Sequence, residues 1–284
     1  MTITDTSTTT SVEHSYQVWH TTPRLGAEFT GLDLAAGVDD ATAAALRDAF
    51  HTRKVLVFRD QHLTPDQHVA AVSIFAEPFD HPTAVRHADN HLVYPYDAQR
   101  HGKASTWHIG GLWREPVFRI ESLVYETVPD TGGDTLWADL QAAYDDLSPA
   151  FQQLLEGVRA IYDANPVNYS QGADRTPPAS TVAHPLVRTD PDTGRKGLFL
   201  STSAIGVTGL SPAEGDAVLQ YLFRHASSPK YSVRYSWRPG DFALWDNQAT
   251  WHYAVDDYGT APRTYRKVIG VDPTRQGALV KSTE

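Results

Sequence analysis

Residues 242–258 read FALWDNQATWHYAVDDY, and the reading of this stretch decides the kind of fold. "FALWDN" and "TWHYAV" are short runs rich in aromatic and apolar residues, and the Asp-Asn-Gln between their apolar parts is turn chemistry. Each run has the length of a strand and is too short for a helix. Working outward, the pattern recurs in "YSVRYSW" and "RKVIGVD" on either side, and further upstream in "HLVYPY", "ASTWHI", "IESLVYETV", "DTLWA", "HPLVRT" and "GLFLST". Turns such as "DPDTG" separate them. This density of short strands predicts a mainly β protein, a sandwich or a barrel.

Helices flank that array. "YQVWHT" and "AEFTGLDL" alternate as strands, and "DDATAAALRDAFHTRK" carries Ala, Leu and Phe at helical spacing before the apolar run "VLVF". "TPDQHVAAVSIFAEPF" opens with Thr64, Pro65 and Gln67, a capping-box start. Two further helical insertions are predicted in "LQAAYDDLSPAFQQLLEGVRAIYD" (140–163) and in "SPAEGDAVLQYLFRHA", where Ser211 and Glu214 make a second box. The polar stretch 164–180 reads equally as an active-site lid or as a surface insertion. The organisation expected is a flexible tail over residues 1–15 and a single domain over 16–284.

Composition narrows the function. The chain has 284 residues and no cysteine, which excludes disulfide scaffolds, thiolate metal sites and cysteine nucleophiles. No run of about 18 apolar residues is present to cross a bilayer. The Thr/Ser-rich N-terminus lacks the basic and apolar segments of a secretory signal, so a cytoplasmic location is expected. A formal charge of -10 disfavours nucleic acid and anionic membrane surfaces as partners. A small molecule is the expected partner; self-association into a homo-oligomer is left open.

Thirteen histidines are too many for all to carry chemistry. Context selects His108 in "WHIGG", on a β-like segment, and His252 in the opening stretch. "GGDTLWAD" at 132–139 and "RTYRKV" at 263–268 accompany them. In that combination the sequence resembles the taurine dioxygenase family of non-haem iron(II), 2-oxoglutarate-dependent oxygenases, over roughly residues 16–273. The resemblance implies a double-stranded β-helix, or jelly roll, that holds iron by a His-x-Asp pair and a distal histidine. It assigns His108 and His252 as iron ligands. It assigns Thr135 and Arg263 to 2-oxoglutarate, since a planar guanidinium pairs bidentately with a carboxylate. Lys267 falls where taurine-type members grip the substrate's sulfonate, implying an anionic or zwitterionic substrate, and His81 matches a position close to the substrate.

One residue departs from the pattern. Gly110 stands where the aspartate belongs, removing a ligand, a charge and a side-chain volume together. That feature resembles the iron/2-oxoglutarate halogenases, in which chloride takes the vacated position. The expectation is a halogenase that uses Fe(II), 2-oxoglutarate, O2 and chloride to chlorinate an unactivated carbon of a free small molecule. The alternative is an iron(II)/2-oxoglutarate-dependent hydroxylase, either with water in the vacancy or as an Asp-to-Gly variant; a protein that binds without turnover is a third reading. Glu115 and Asp134 are carboxylates near enough in sequence to substitute, but both fall in turns that do not favour the role.

Overall fold

The computed structural model describes residues 16–115, 117–164 and 180–272. The predicted tail and most of the 164–180 stretch lie outside them. In chain order the first strands are β1 (Gln17–His20), β2 (Ala27–Thr30), β3 (Val55–Phe58), β4 (Glu77–Pro78), β5 (Tyr94–Asp97), β6 (Ile120–Thr127) and β7 (Thr135–Asp139). They are followed by β8 (Arg159–Asp163), β9 (Thr181–Pro185), β10 (Val187–Thr189), β11 (Lys196–Leu198) and β12 (Gly206–Val207). Last come β13 (Ser232–Tyr235), β14 (Phe242–Asp246), β15 (Thr250–Ala254) and β16 (Thr264–Val271). The helices are α1 (Asp40–Arg53), α2 (Pro65–Ser73), α3 (Ala98–His101), α4 (Leu140–Asp145), α5 (Pro149–Leu155) and α6 (Pro212–Ala226).

The opening stretch forms two strands, as its pattern predicts, but in different sheets. β14 lies inside the main sheet, ordered β1-β2-β3-β14-β6-β16-β4 with β5 also on β16, while β15 belongs to a three-stranded sheet ordered β13-β7-β15. The two sheets face each other across one apolar layer. Val55, Leu123, Tyr125, Ala243 and Trp245 enter it from the main sheet, and Trp137, Val233 and Tyr235 from the smaller one. This is the jelly-roll arrangement. The opposite face of the main sheet, with Leu56, Phe58, Ile120, Val124, Phe242, Leu244 and Val268, packs on α1 and α2. β6 is buried on both faces along Ile120–Tyr125, so its residues alternate between two dry environments.

Local sequence explains where the helices begin. Asp39 accepts from the Thr42 amide at the start of α1, and Thr64 and Gln67 form the expected reciprocal cap on α2. At α6 the Glu214 carboxylate accepts from both the amide and the hydroxyl of Ser211. The predicted helical insertion over 140–163 is divided into three. Ser148 and Pro149 start α5 afresh, Gly157 at φ +84° turns the chain, and 159–163 becomes β8. Proline has no amide to continue a helix, and left-handed glycine ends one.

Candidate active site

Two histidines meet where the small sheet is extended by a single bridge. His108, in the segment between α3 and β6, exchanges backbone hydrogen bonds with His252 of β15, each N–H to the other's carbonyl at 2.9 Å. The pairing sets the ring centroids 4.0 Å apart, and Trp245 from the facing sheet packs 4.9 Å from His252. His108 Nδ1 lies 2.7 Å from the Thr106 carbonyl, so that nitrogen carries the proton and Nε2 keeps its lone pair. Burial holds His108 below the usual imidazole range. It holds His252 well below it, with His108 and Lys267 adding to the effect. Both rings are therefore neutral donors, the form that ligates a metal.

The space beside Gly110 is filled. A Cβ built on Gly110 would lie 2.0 Å from Glu121 Oε1 and 2.6 Å from its carboxyl carbon. The carboxylate arrives from β6. On that strand Glu121, Leu123 and Tyr125 share the face toward the small sheet, and Glu121 is only 2% exposed. Its Oε2 lies 3.5 Å from His252 Nε2, and its Oε1 accepts from Lys267 Nζ at 2.8 Å. Lys267 stands on β16, two residues from Ile269, the direct cross-strand neighbour of Glu121, so the pair is a diagonal one. Asn247 fixes the other wall: its amide group donates to the Gly110 carbonyl and its oxygen accepts from the Gly110 N–H, both at 2.9 Å.

This geometry bears on two expectations. The volume beside the Gly110 backbone, expected to be open for a halide, is taken by a glutamate carboxylate, and an aspartate at 110 would require Glu121 to move. The Lys267 ammonium, expected to hold a substrate anion, is engaged by Glu121. The carboxylates weighed from sequence are committed elsewhere, Glu115 at 3.0 Å from His184 Nδ1 and Asp134 at 2.5 Å from Arg234 Nε. The sequence signal for Glu121 was an acidic residue inside "IESLVY", a run otherwise fit for burial.

The predicted cosubstrate residues gather around one buried cation. Arg263, 2% exposed, precedes β16 and donates from Nε to the Gly133 carbonyl at 3.1 Å. Gly133 sits at φ +72°, and a Cβ there would press on Tyr258 at 3.3 Å and on the Arg263 stem at 3.4 Å, so glycine permits the approach. The guanidinium lies over the rings of Tyr125, Tyr258 and Tyr265 at 5.1, 5.7 and 5.5 Å, and among the described residues no carboxylate pairs with it. A buried charge in that state calls for an anionic ligand. Thr135, at the start of β7, accepts from Trp237 Nε1 at 2.9 Å. Trp237 in turn stacks on Tyr125 at 4.1 Å, one of the rings under Arg263.

His81 follows β4 and packs against Tyr94, Trp113 and Phe118. Its pKa is lowered to about 4 by burial and by Lys267, with Glu121 opposing and Arg114 adding. Lys267 and Glu121 are thus close enough to His81 to act on its charge. Arg114 was not foreseen. Its guanidinium lies 4.2 Å from the Phe79 ring centroid, and its buried Nη1 has no hydrogen-bond partner among the described residues. No described helix is long and apolar enough to cross a membrane.

Comparison with known proteins identifies the family. The family model described as taurine catabolism dioxygenase TauD, TfdA family matches residues 17–270. The chain is 33% identical to an alpha-ketoglutarate-dependent sulfate ester dioxygenase of Pseudomonas putida, covering 92% of each chain. It is 31% identical to an alkylsulfatase of Acinetobacter baylyi, over 90% of this chain and 85% of the relative. The crystal structure of a taurine dioxygenase from Burkholderia xenovorans superposes with a TM-score of 0.78 at 33% identity, covering 92% of this chain and 93% of that one.

Proposed function

The chain belongs to the taurine catabolism dioxygenase TauD, TfdA family, and from that premise we propose that it is an iron(II)/2-oxoglutarate-dependent dioxygenase that hydroxylates a small organic anion. The observation that carries the reading is the bridge between His108 and His252, which sets two neutral imidazoles side by side in a chain whose buried Arg263 has no carboxylate partner among the described residues. His108 and His252 are the donors suited to Fe(II), and Arg263 with Thr135 is suited to the far carboxylate of 2-oxoglutarate. Bound there, iron and 2-oxoglutarate would supply oxidative decarboxylation, in which 2-oxoglutarate, O2 and a substrate C–H give succinate, CO2 and a C–OH.

The remaining residues do the positioning. Burial keeps both histidines unprotonated, the Thr106 carbonyl holds the His108 proton on Nδ1, and Asn247 pins the Gly110 backbone between the ligand segment and β14. Arg114, cationic beside the neutral His81, is the group suited to an acidic headgroup on the substrate. The sulfate esters named for the Pseudomonas relative fit that class.

Halogenation is the reading the filled space at Gly110 disfavours. The test is a panel of alkyl sulfates, sulfonates and aryloxy acids incubated with the protein, Fe(II), 2-oxoglutarate and O2, with and without chloride. Succinate formed in step with an oxygenated product, unaffected by chloride, is the expected result. Chlorinated product would return the halogenase reading, and no substrate-coupled succinate from any acid would remove the substrate class.

A further inference from the structure

We propose that Glu121 is the third protein ligand to iron, supplying from β6 the carboxylate that position 110 lacks. This rests on the iron-oxygenase reading above. The first support is steric reciprocity. Glycine at 110 and glutamate at 121 occupy one volume, since any side chain at 110 would meet Glu121 Oε1 within 2.0 Å. The carboxylate has therefore been moved to another strand rather than lost, and the longer glutamate spans the added distance.

The second support is orientation. Lys267 takes Oε1 at 2.8 Å, which leaves Oε2 as the oxygen turned to the histidines, 3.5 Å from His252 Nε2. Two donors each about 2.1 Å from one metal stand roughly 3.0 to 3.6 Å apart for ligand angles of about 90 to 120°. Lys267 is thereby a positioning residue that favours ligation through a single oxygen, as outer-shell partners of metal-bound carboxylates do. The donors are not already gathered on one point among the described residues. The His108 and His252 backbones are locked by their mutual hydrogen bonds, so the closing adjustment falls to side-chain torsions.

The third support is charge. Glu121 is 2% exposed and an ionised carboxylate at that depth needs cations. Lys267 supplies one at Oε1, and Oε2 faces the neutral His252 ring with a lone pair that no described cation engages, a place suited to a metal cation. Two histidines and one carboxylate are the ligand set of the ordinary facial triad, so no anion from solution is needed to fill the third protein position.

Anaerobic Co(II) titration of the whole protein, by calorimetry and by Co(II) visible absorption, tests this. The unaltered chain is expected to bind one Co(II), with a spectrum that chloride does not change. Glu121→Gln, which keeps the shape and can still accept from Lys267, should lose more than about 100-fold in affinity, beyond the ~10–100-fold typical of outer-shell changes. Gly110→Asp combined with Glu121→Ser, which returns the carboxylate to position 110, should recover binding. Glu121→Gln with unaltered affinity, or a chloride-dependent Co(II) spectrum in the unaltered chain, overturns the assignment. The chloride measurement decides even if the variant misfolds. Failure of the unaltered chain to bind Co(II) would instead overturn the iron reading on which the proposal rests.

Discussion

Glycine at 110 matters for what it admits. A residue without Cβ lets the Glu121 carboxylate reach the wall that Asn247 builds, and the ion pair to Lys267 then depends on a buried acid that no local pattern requires. Arg263 is the complementary case, a buried cation set over three tyrosine rings with its Nε on the Gly133 carbonyl. An ammonium at that position would keep the charge and lose the fork that pairs with a carboxylate. Arg263→Lys is therefore expected to raise the KM for 2-oxoglutarate by about 10- to 100-fold, a loss on the order of 1.4–2.8 kcal/mol, with a smaller change in the substrate's KM. Steady-state succinate formation at varied 2-oxoglutarate measures it, and an unchanged KM would remove Arg263 from the cosubstrate site. His108, His252, Thr135 and Arg263 were legible as candidates because each lies in a short run whose order along the chain is distinctive. Glu121 was not, because a strand residue's partners come from other strands.

Among the elements, β6 does most to assemble the site, and its two faces have opposite duties. Glu121 points toward the small sheet, whereas Ser122 points to α2, where it accepts from His68 Nε2 at 2.9 Å and donates to the Val268 carbonyl at 2.9 Å. Full burial, with Arg266 nearby, lowers the His68 pKa to about 3. In the unfolded chain an imidazole titrates near 6.5, so between about pH 6.5 and 3 the unfolded state binds a proton that the folded state excludes. Stability must fall as the pH falls through that window, by up to ~1.4 kcal/mol per pH unit from this one group. His68→Gln, which can still donate to Ser122, should flatten the pH dependence of the urea-unfolding free energy between pH 6.5 and 5. An identical slope in the variant would show that His68 does not control it. The same strand-level view explains the split of residues 140–163. The apolar spacing is helical throughout, and Pro149 and Gly157 override it.

For the molecule as a whole, the site exists because two sheets are held face to face, and one buried ion pair joins them. Lys54, at φ +63° between α1 and β3, reaches Asp139 at the end of β7 with a 2.9 Å bond, both side chains being 2% exposed. Asp139 also accepts from the Gln141 and Ala142 amides at the start of α4. Removing one partner strands a buried charge, so Lys54→Met should destabilise the protein by about 3–5 kcal/mol, and Lys54→Met with Asp139→Asn should recover part of that. Chemical denaturation of the three proteins measures it; equal stability of Lys54→Met and the unaltered chain would show that the pair does not clamp the sheets. What the sequence determined by itself was local in cause: strand length and turn residues at 242–258, the Thr64 cap, and the runs that make His108, His252, Thr135 and Arg263 candidates. What only the tertiary structure decided was which side chains meet across strands remote in sequence. Pairing of β6 with β14 and β16 brings Glu121 into the volume of Gly110 and Lys267 onto Glu121. Register and sheet facing are set by the packing of the whole chain, and the identity of the acid beside the histidines follows from them.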